Sequence, residues 1–223
     1  MQLSIIVPVL NESLRIPALR ALAERLSRAD GEFLVVDGGS ADQSARVAAD
    51  AGLTVIHSRR GRARQMNTGA SAATGDVLLF LHADTVLPDD VVTLVAEALA
   101  GDACWGRFDV TITGKSPLLK VVARMMNLRS RWTGIATGDQ AIFMTRAAFA
   151  AVGGYPDQPL MEDIEISKRL RRLSNPACIA THVVTSGRRW ESRGVCRTIF
   201  LMWRLRWAYW RGVAAEELAK AYE

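Results

Sequence analysis

The chain has 223 residues, 28 basic against 23 acidic side chains for a net charge of +5, and a hydrophobic fraction of 49 %. That length fits a single α/β domain with a sizeable core, and no Gly/Ser/Pro-rich linker, internal repeat or low-complexity tract divides the sequence. Three cysteines, Cys104, Cys178 and Cys196, lack CxxC spacing, which argues against a disulfide framework or a zinc site and suits a reducing cytoplasm. No apolar run reaches the ~18 residues that a membrane-spanning helix needs.

The apolar run in MQLSIIVPVLNE is short and has neither a basic leader nor a small-residue cleavage site, so it reads as a first strand and not as a secretory signal. NESLRIPALRALAERLSRA has the spacing of an amphipathic helix, and EFLVVDGG reads as a second strand. SADQSARVAADAG predicts a helix opened by Ser40 and closed by Gly52. A strand over LTVIHS, a helix around ARQMNTGASAAT and a buried strand over DVLLFLHAD complete a βαβαβαβ series, and the alternation in CIATHVVTS predicts a later strand. Continuous apolar strands alternating with helices imply a mostly parallel sheet covered on both faces. Such sheets bind ligands beyond the carboxyl ends of their strands. Three of those ends are polar here: Pro8 to Glu12, Asp37 to Ser40, and His82-Ala83-Asp84.

In an extended chain His82 and Asp84 face one side, which suits a metal ion or a phosphate-bearing ligand. A polar strand end before a helix cap is the structural alternative. Asp37 before two glycines can accept a base N–H while Gly39 lets the backbone approach a ribose or phosphate, although Asp-Gly turns end many strands. Arg59, Arg60, Arg62 and Arg64 crowd the mouth of a helix, an unfavourable place for cations unless an anion sits there; a solvated basic loop is the alternative. Glu162 and Asp163 open the helix predicted in MEDIEISKRLRR, where the helix dipole favours acids in any case.

The segment from Gly187 to Arg211 holds seven arginines, one acid (Glu191) and four of the six tryptophans. The rest of the chain is close to neutral, so the charge is local and does not suit wrapping a nucleic acid. At about 100° per residue, Arg193, Arg197, Arg204 and Arg211 share one stripe, and Trp203, Trp207 and Trp210 share the next. The pattern predicts a helix from about Gly194 to Arg211 lying on an anionic membrane surface; packing of this helix on the rest of the domain is the alternative.

Five segments, SIIVPVLNE, VVDGGSADQS, GRARQMNTGASAATGD leading into LLFLHADT, GDQAIFMTRAAFAAVGGYP and MEDIEISKRL, resemble in order and spacing the family 2 glycosyltransferases over roughly residues 1–175. HADT, GRARQMN and TSGRRW further resemble a bacterial subgroup of these transferases associated with radical SAM and selenium-related gene clusters. The resemblance implies an α/β, nucleotide-sugar-binding GT-A fold over residues 1–190, with 191–223 as a C-terminal helical extension of the same domain. It also implies inverting transfer from a UDP- or GDP-linked sugar to an acceptor hydroxyl of unknown identity, with Mn²⁺ or Mg²⁺ as cofactor; the C-terminal helix, if it lies on a membrane, would bring a lipid-linked acceptor to the site. Most GT-A enzymes carry Asp-x-Asp where this chain has His82-Ala83-Asp84. A hard cation prefers oxygen, so Asp84 is the expected ligand ahead of His82; His182 is a further candidate.

By the same resemblance Pro8, Asn11 and Glu12 flank the nucleotide and Asp37 reads the base. Arg62, Gln65, His82 and Ala83 line the donor pocket, and Asp139 and Gln140 lie near the transferred sugar or acceptor. Glu162 accompanies Asp163, the expected general base, and Arg188 or Arg189 assists the leaving diphosphate. Two other classes stay open. A nucleotidyltransferase would be expected to carry a glycine-rich phosphate loop after its first strand, and PVLNES has no glycine. A non-catalytic nucleotide-sugar-binding membrane adaptor would keep the pocket without needing Asp163. The expected location is the cytoplasm, with the inner face of the cell membrane as the docking surface.

Overall fold

The computed structural model describes residues 1–222, apart from the side chain of Arg189. Strand β1 (Leu3–Val9) leads through a 3₁₀ turn over Ser13–Arg15 into helix α1 (Ile16–Ser27). This helix starts later than the sequence pattern suggests because Pro17 occupies its first turn, the position where a missing N–H costs no helical hydrogen bond. Strand β2 (Glu32–Asp37), helix α2 (Ser44–Asp50), strand β3 (Thr54–His57), helix α3 (Arg62–Ala72) and strand β4 (Val77–Phe80) follow. Ser40 does not cap α2: its amide donates to Asp37 and its hydroxyl accepts from the Asn11 amide, so the helix begins only at Ser44.

Beyond β4 lie β5 (Thr85–Val86), α4 (Val91–Ala98), β6 (Trp105–Thr113) and α5 (Leu118–Thr133). Strand β7 (Phe143–Thr145), α6 (Arg146–Ala151), α7 (Glu162–Leu170) and β8 (Ala177–Ser186) complete the sheet region, and α8 (Arg188–Arg193), α9 (Val195–Trp210) and α10 (Ala215–Tyr222) close the described chain.

The eight strands form one sheet in the order β3-β2-β1-β4-β7-β6-β8-β5. Pairs β1–β2, β1–β4, β2–β3 and β6–β8 are parallel, whereas β7 runs antiparallel to β4 and β6, and β5 antiparallel to β8. The crossing from β1 outward to β2 and inward to β4 makes a switch point at the carboxyl end of β1, the place where open α/β sheets bind ligands. Apolar clusters cover both faces, one built on Ile5, Val7, Leu79 and Phe108, the other on Ile6, Val36, Leu78 and Trp105. A third, smaller cluster of Met161, Ile164, Leu205 and Leu218 joins α7 to α9 and α10. Arg107 is fully buried on β6 and paired with Asp109, whose other oxygen accepts from Arg131 Nη2 at 2.7 Å. A buried cation is tolerated only when so compensated.

Candidate active site

A cleft of about 400 Å³ opens at the switch point, a size suited to a small-molecule ligand. Its floor is the end of β1 (Pro8, Val9, Leu10) with Glu12 beyond it, and Arg60, Gly61, Arg62 and Gln65 enter from the start of α3. His82, Ala83 and Asp84 contribute from the end of β4, and Asp139 from the 3₁₀ turn over Gly138–Gln140. An inner recess adjoins the cleft through Pro8, Arg62 and His82, and Glu162 and Asp163 lie in it.

The HADT segment reaches the cleft differently from the extended arrangement expected of it. Strand β4 ends at Phe80, and the Thr85 amide donates to the His82 carbonyl at 3.0 Å, folding His82 to Thr85 into a turn. Both side chains still line the cleft, but the turn sets their directions, not a two-residue strand period. His82 Nδ1 lies 3.1 Å from Asp139 Oδ1, and its Nε2 lies so close over Gly138 that a Cβ there would overlap it. Packed in this way, His82 ties the end of β4 to the Gly138–Gln140 turn.

Asp163 Oδ2 accepts from the Gly138 amide at 3.0 Å and Oδ1 from the Ile164 amide at 2.8 Å. Burial pushes the Asp163 carboxyl above its ordinary pKa against the pull of these amides and of Arg62. Glu162, 6 % exposed, is pushed up to about 7, first by burial and then by the neighbouring Asp163 charge, with Arg62 opposing. Arg62 Nη1 lies 3.9 Å from Glu162 Oε1, linking α3 to α7 across the recess.

Other expected site residues do more to build the site than to line it. Asp37 is buried, and its oxygens accept from the Gly39 and Ser40 amides. Asn11 Oδ1 accepts from the Ala41 amide at 2.8 Å, stapling the loops after β1 and β2. Gln65 lines the cleft while its Nε2 donates to the Val9 and Val36 carbonyls at 2.9 and 2.8 Å, joining the ends of β1 and β2. Gln140 is fully buried, with Nε2 donating to Ser130 Oγ at 3.0 Å. Arg188 lies 4.0 Å from Glu12 at the rim; the Arg189 side chain lies outside the described residues. His182 is exposed on β8, in register with Asp109, and is not among the described residues that line the cleft.

Five wall residues were not anticipated from sequence: Ser186 of β8, Trp190 of α8, Thr198 and Met202 of α9, and Tyr222 of α10. Nothing in the local pattern marks Thr198 or Met202, because only docking of α9 turns them toward the cleft. Arg129 is a second unanticipated group. Its Nε and Nη2 are buried without a hydrogen-bond partner, and burial lowers its pKa against the attraction of Asp163 and Asp139.

Among the described residues no three His, Cys, Asp or Glu side chains converge into a ready-made metal site. A Mg²⁺-like cation that keeps waters and substrate phosphates needs only one or two carboxylates. Asp84 supplies such an oxygen, whereas His82 Nδ1 already faces Asp139.

A parallel-centred sheet with helices on both faces, carrying a cleft with carboxylates at its switch point, is the fold of the GT-A class of glycosyltransferases. Solved structures of that class superpose on the chain. A mannosyltransferase of Pyrobaculum calidifontis in complex with GDP-mannose and Mn²⁺ matches with a TM-score of 0.65 at 23 % identity, covering 92 % of this chain and 60 % of that one. Glucosyl-3-phosphoglycerate synthase of Mycobacterium tuberculosis, in complex with Mn²⁺ and UDP-glucose, matches with a TM-score of 0.60 at 20 % identity, over 82 % of this chain and 70 % of that one. The chain belongs to glycosyl transferase family 2, whose model matches residues 4–148. A PGL/p-HBAD biosynthesis glycosyltransferase of Mycobacterium bovis is 30 % identical over 221 residues, 88 % of this chain and 79 % of the relative. An undecaprenyl-phosphate 4-deoxy-4-formamido-L-arabinose transferase of Pseudomonas fluorescens is 32 % identical over 154 residues, but the match spans only 44 % of that protein.

Proposed function

We propose that this glycosyltransferase works with inversion, moving a sugar from a UDP- or GDP-linked donor to an acceptor hydroxyl. The observation that carries the reading is the juxtaposition of a carboxylate-bearing cleft at the switch point with an inner recess that holds Asp163. The donor diphosphate lies in the cleft, where Arg60 and Arg62 at the start of α3 offset its charge and Pro8 and Glu12 flank the nucleotide. Asp84 would hold a divalent cation, Mn²⁺ or Mg²⁺, which would supply charge neutralisation to the leaving diphosphate. Asp163 accepts the proton of the acceptor hydroxyl as that oxygen attacks the anomeric carbon, the usual task of a carboxylate base. Its two amide bonds keep it oriented, while burial raises its basicity above that of a free carboxylate.

The acceptor is lipid-linked in this reading and is met at an anionic membrane surface, on which the basic, tryptophan-bearing side of α9 rests. Support comes from the exposure of Trp203, Trp207 and Trp210, at 67, 62 and 76 %, and from a relative named for a lipid phosphate. No helix of the described chain is long and apolar enough to cross a membrane. The likeness of HADT, GRARQMN and TSGRRW to the radical-SAM-associated subgroup rests on those residues alone.

Thermal-shift measurements against a set of nucleotide sugars with and without Mn²⁺ test the donor reading: stabilisation by one nucleotide class, and only with metal, is expected. In calorimetry Asp84→Ala is expected to lose most of the metal-dependent affinity for that nucleoside diphosphate. Binding of the variant as tight as that of the parent would remove Asp84 from the role.

A further inference from the structure

We infer that α5 joins α9 in a single face that docks on an anionic lipid surface. The inference rests on the membrane-facing reading of α9 and extends it to a helix that supplies none of the described cleft-lining residues.

Helix α5 buries Leu119, Val122, Ala123, Met126 and Asn127 against the sheet. On its opposite side Leu118, Val121, Met125, Leu128 and Trp132 are exposed by 41, 57, 54, 38 and 84 %. Their spacing of three and four residues places all five on one stripe. Soluble chains scatter exposed apolar residues singly, and a continuous row of this kind marks a surface that is covered in use. Helix α9 repeats the arrangement. Thr198 and Leu205 are buried, while Phe200 at 71 % exposure joins the three tryptophans on the outer side. The two helices are packed against each other.

Charge decides what covers these stripes. Residues 115–133 contain five cations and no acid, and residues 193–211 again contain five cations and no acid; of these the Arg129 guanidinium is buried, and Glu191 of α8 accepts from the Lys115 amide. On α5 the exposed Lys120 and Arg124 run along one side of the apolar stripe, and Arg131, paired with Asp109, lies on the same side. On α9 Arg197, Arg204 and Arg211 do the same, and Arg211 lies 5.5 Å over the Trp207 ring. A second copy of the chain laid on this face would oppose cation to cation, which is repulsive at close range. An anionic bilayer offers the complement to both components: headgroup phosphates for the guanidinium rows and the interfacial zone for tryptophan. The inner side of α9 meanwhile lines the cleft through Thr198 and Met202. The lipid surface would thus lie about one helix diameter, ~10 Å, from the donor site.

Co-sedimentation with phosphatidylglycerol/phosphatidylcholine vesicles, and with phosphatidylcholine alone, tests the inference. The parent chain should pellet with the anionic vesicles only and be released by salt. Val121→Ser/Met125→Ser/Trp132→Ser on α5 should weaken binding by about tenfold or more, as should Trp203→Ser/Trp207→Ser/Trp210→Ser on α9. Circular dichroism and binding of the nucleoside diphosphate should stay at parent values in both. If the α9 variant is released but the α5 variant binds like the parent, α5 is no part of the face while the reading of α9 stands. Failure of the parent to bind anionic vesicles overturns both. A parent that is dimeric and reverts to monomer in the α5 variant, without any vesicle binding, would make a second copy the occupant and overturn the inference.

Discussion

Asp163 is held by two amides on its own oxygens, so its direction does not depend on the acceptor. That arrangement predicts a clean separation in Asp163→Asn, which keeps the shape and removes the base. Turnover should fall by ~10²-fold or more, while nucleotide affinity in calorimetry stays near the parent value. Its neighbour Glu162 makes a prediction about pH. The unfolded glutamate titrates near 4.5 and the folded one near 7, so the native state binds more protons than the unfolded state between those values. Stability is therefore lost as pH rises through that window, and the whole penalty is present above pH 7. Glu162→Gln removes the penalty: its advantage in melting temperature over the parent should be several degrees at pH 8 and much smaller at pH 5. An equal shift at both values would mean that the buried charge is not what destabilises the site. Since the Asp163 carboxyl is also raised by burial, the acid limb of the rate profile should lie above the ordinary aspartate range.

At the scale of elements, the site depends on how closely strands and turns approach. Gly106 on β6 sits between Ala177 of β8 and Phe143 of β7, and a Cβ there would overlap the Ala177 carbonyl and the Phe143 ring tip. Because one of the clashing atoms is backbone, the crowding cannot be relieved by a rotamer change. Gly106→Ala should destabilise by ~1–3 kcal/mol or more, read as a lower midpoint in urea. Gln65 plays the opposite part, filling space to join β1 and β2. Its side chain lies so near Gly38 that a Cβ at that position would stand 2.8 Å from Oε1, which explains the first glycine of the DGG turn by packing and leaves only Gly39, with φ of +86°, as a conformational requirement.

For the whole molecule, the C-terminal helices act as the far wall of the cleft. Leu205 is 1 % exposed and packs in one cluster with Met161 and Ile164, which flank Glu162 and Asp163. Leu205→Ala should cost ~2–5 kcal/mol, the range for a leucine cavity. Because α9 also supplies Thr198 and Met202, the variant should weaken nucleotide binding as well as lower the melting temperature. A fall in stability with unchanged binding would mean that the wall is dispensable for the donor.

The strands of the first half and the helices between them were legible in the sequence because burial on both faces writes continuous apolar runs and amphipathic helices write a 3.6-residue period. The ends of β1 and β4, the start of α3 and the helix opened by Glu162 were legible too, as polar residues where a buried pattern stops. Strand β6 and helix α5 end in no such polar motif and were not anticipated, although Leu119, Val122, Ala123 and Met126 carry the helical period. The HADT turn, the inward commitment of Asp37 and Gln140, and the cleft wall of Trp190, Thr198, Met202 and Tyr222 were decided only by tertiary structure. Local periodicity tells which face of an element is buried, but what that face meets is set by segments far apart in the chain, such as those that bring Pro8 and Thr198 to line one cleft. The same limit explains α9. Its sequence determined a helix with a basic and a tryptophan stripe, and only packing against α7 and α10 decided that the leucine side is turned inward and the tryptophan side is left to solvent.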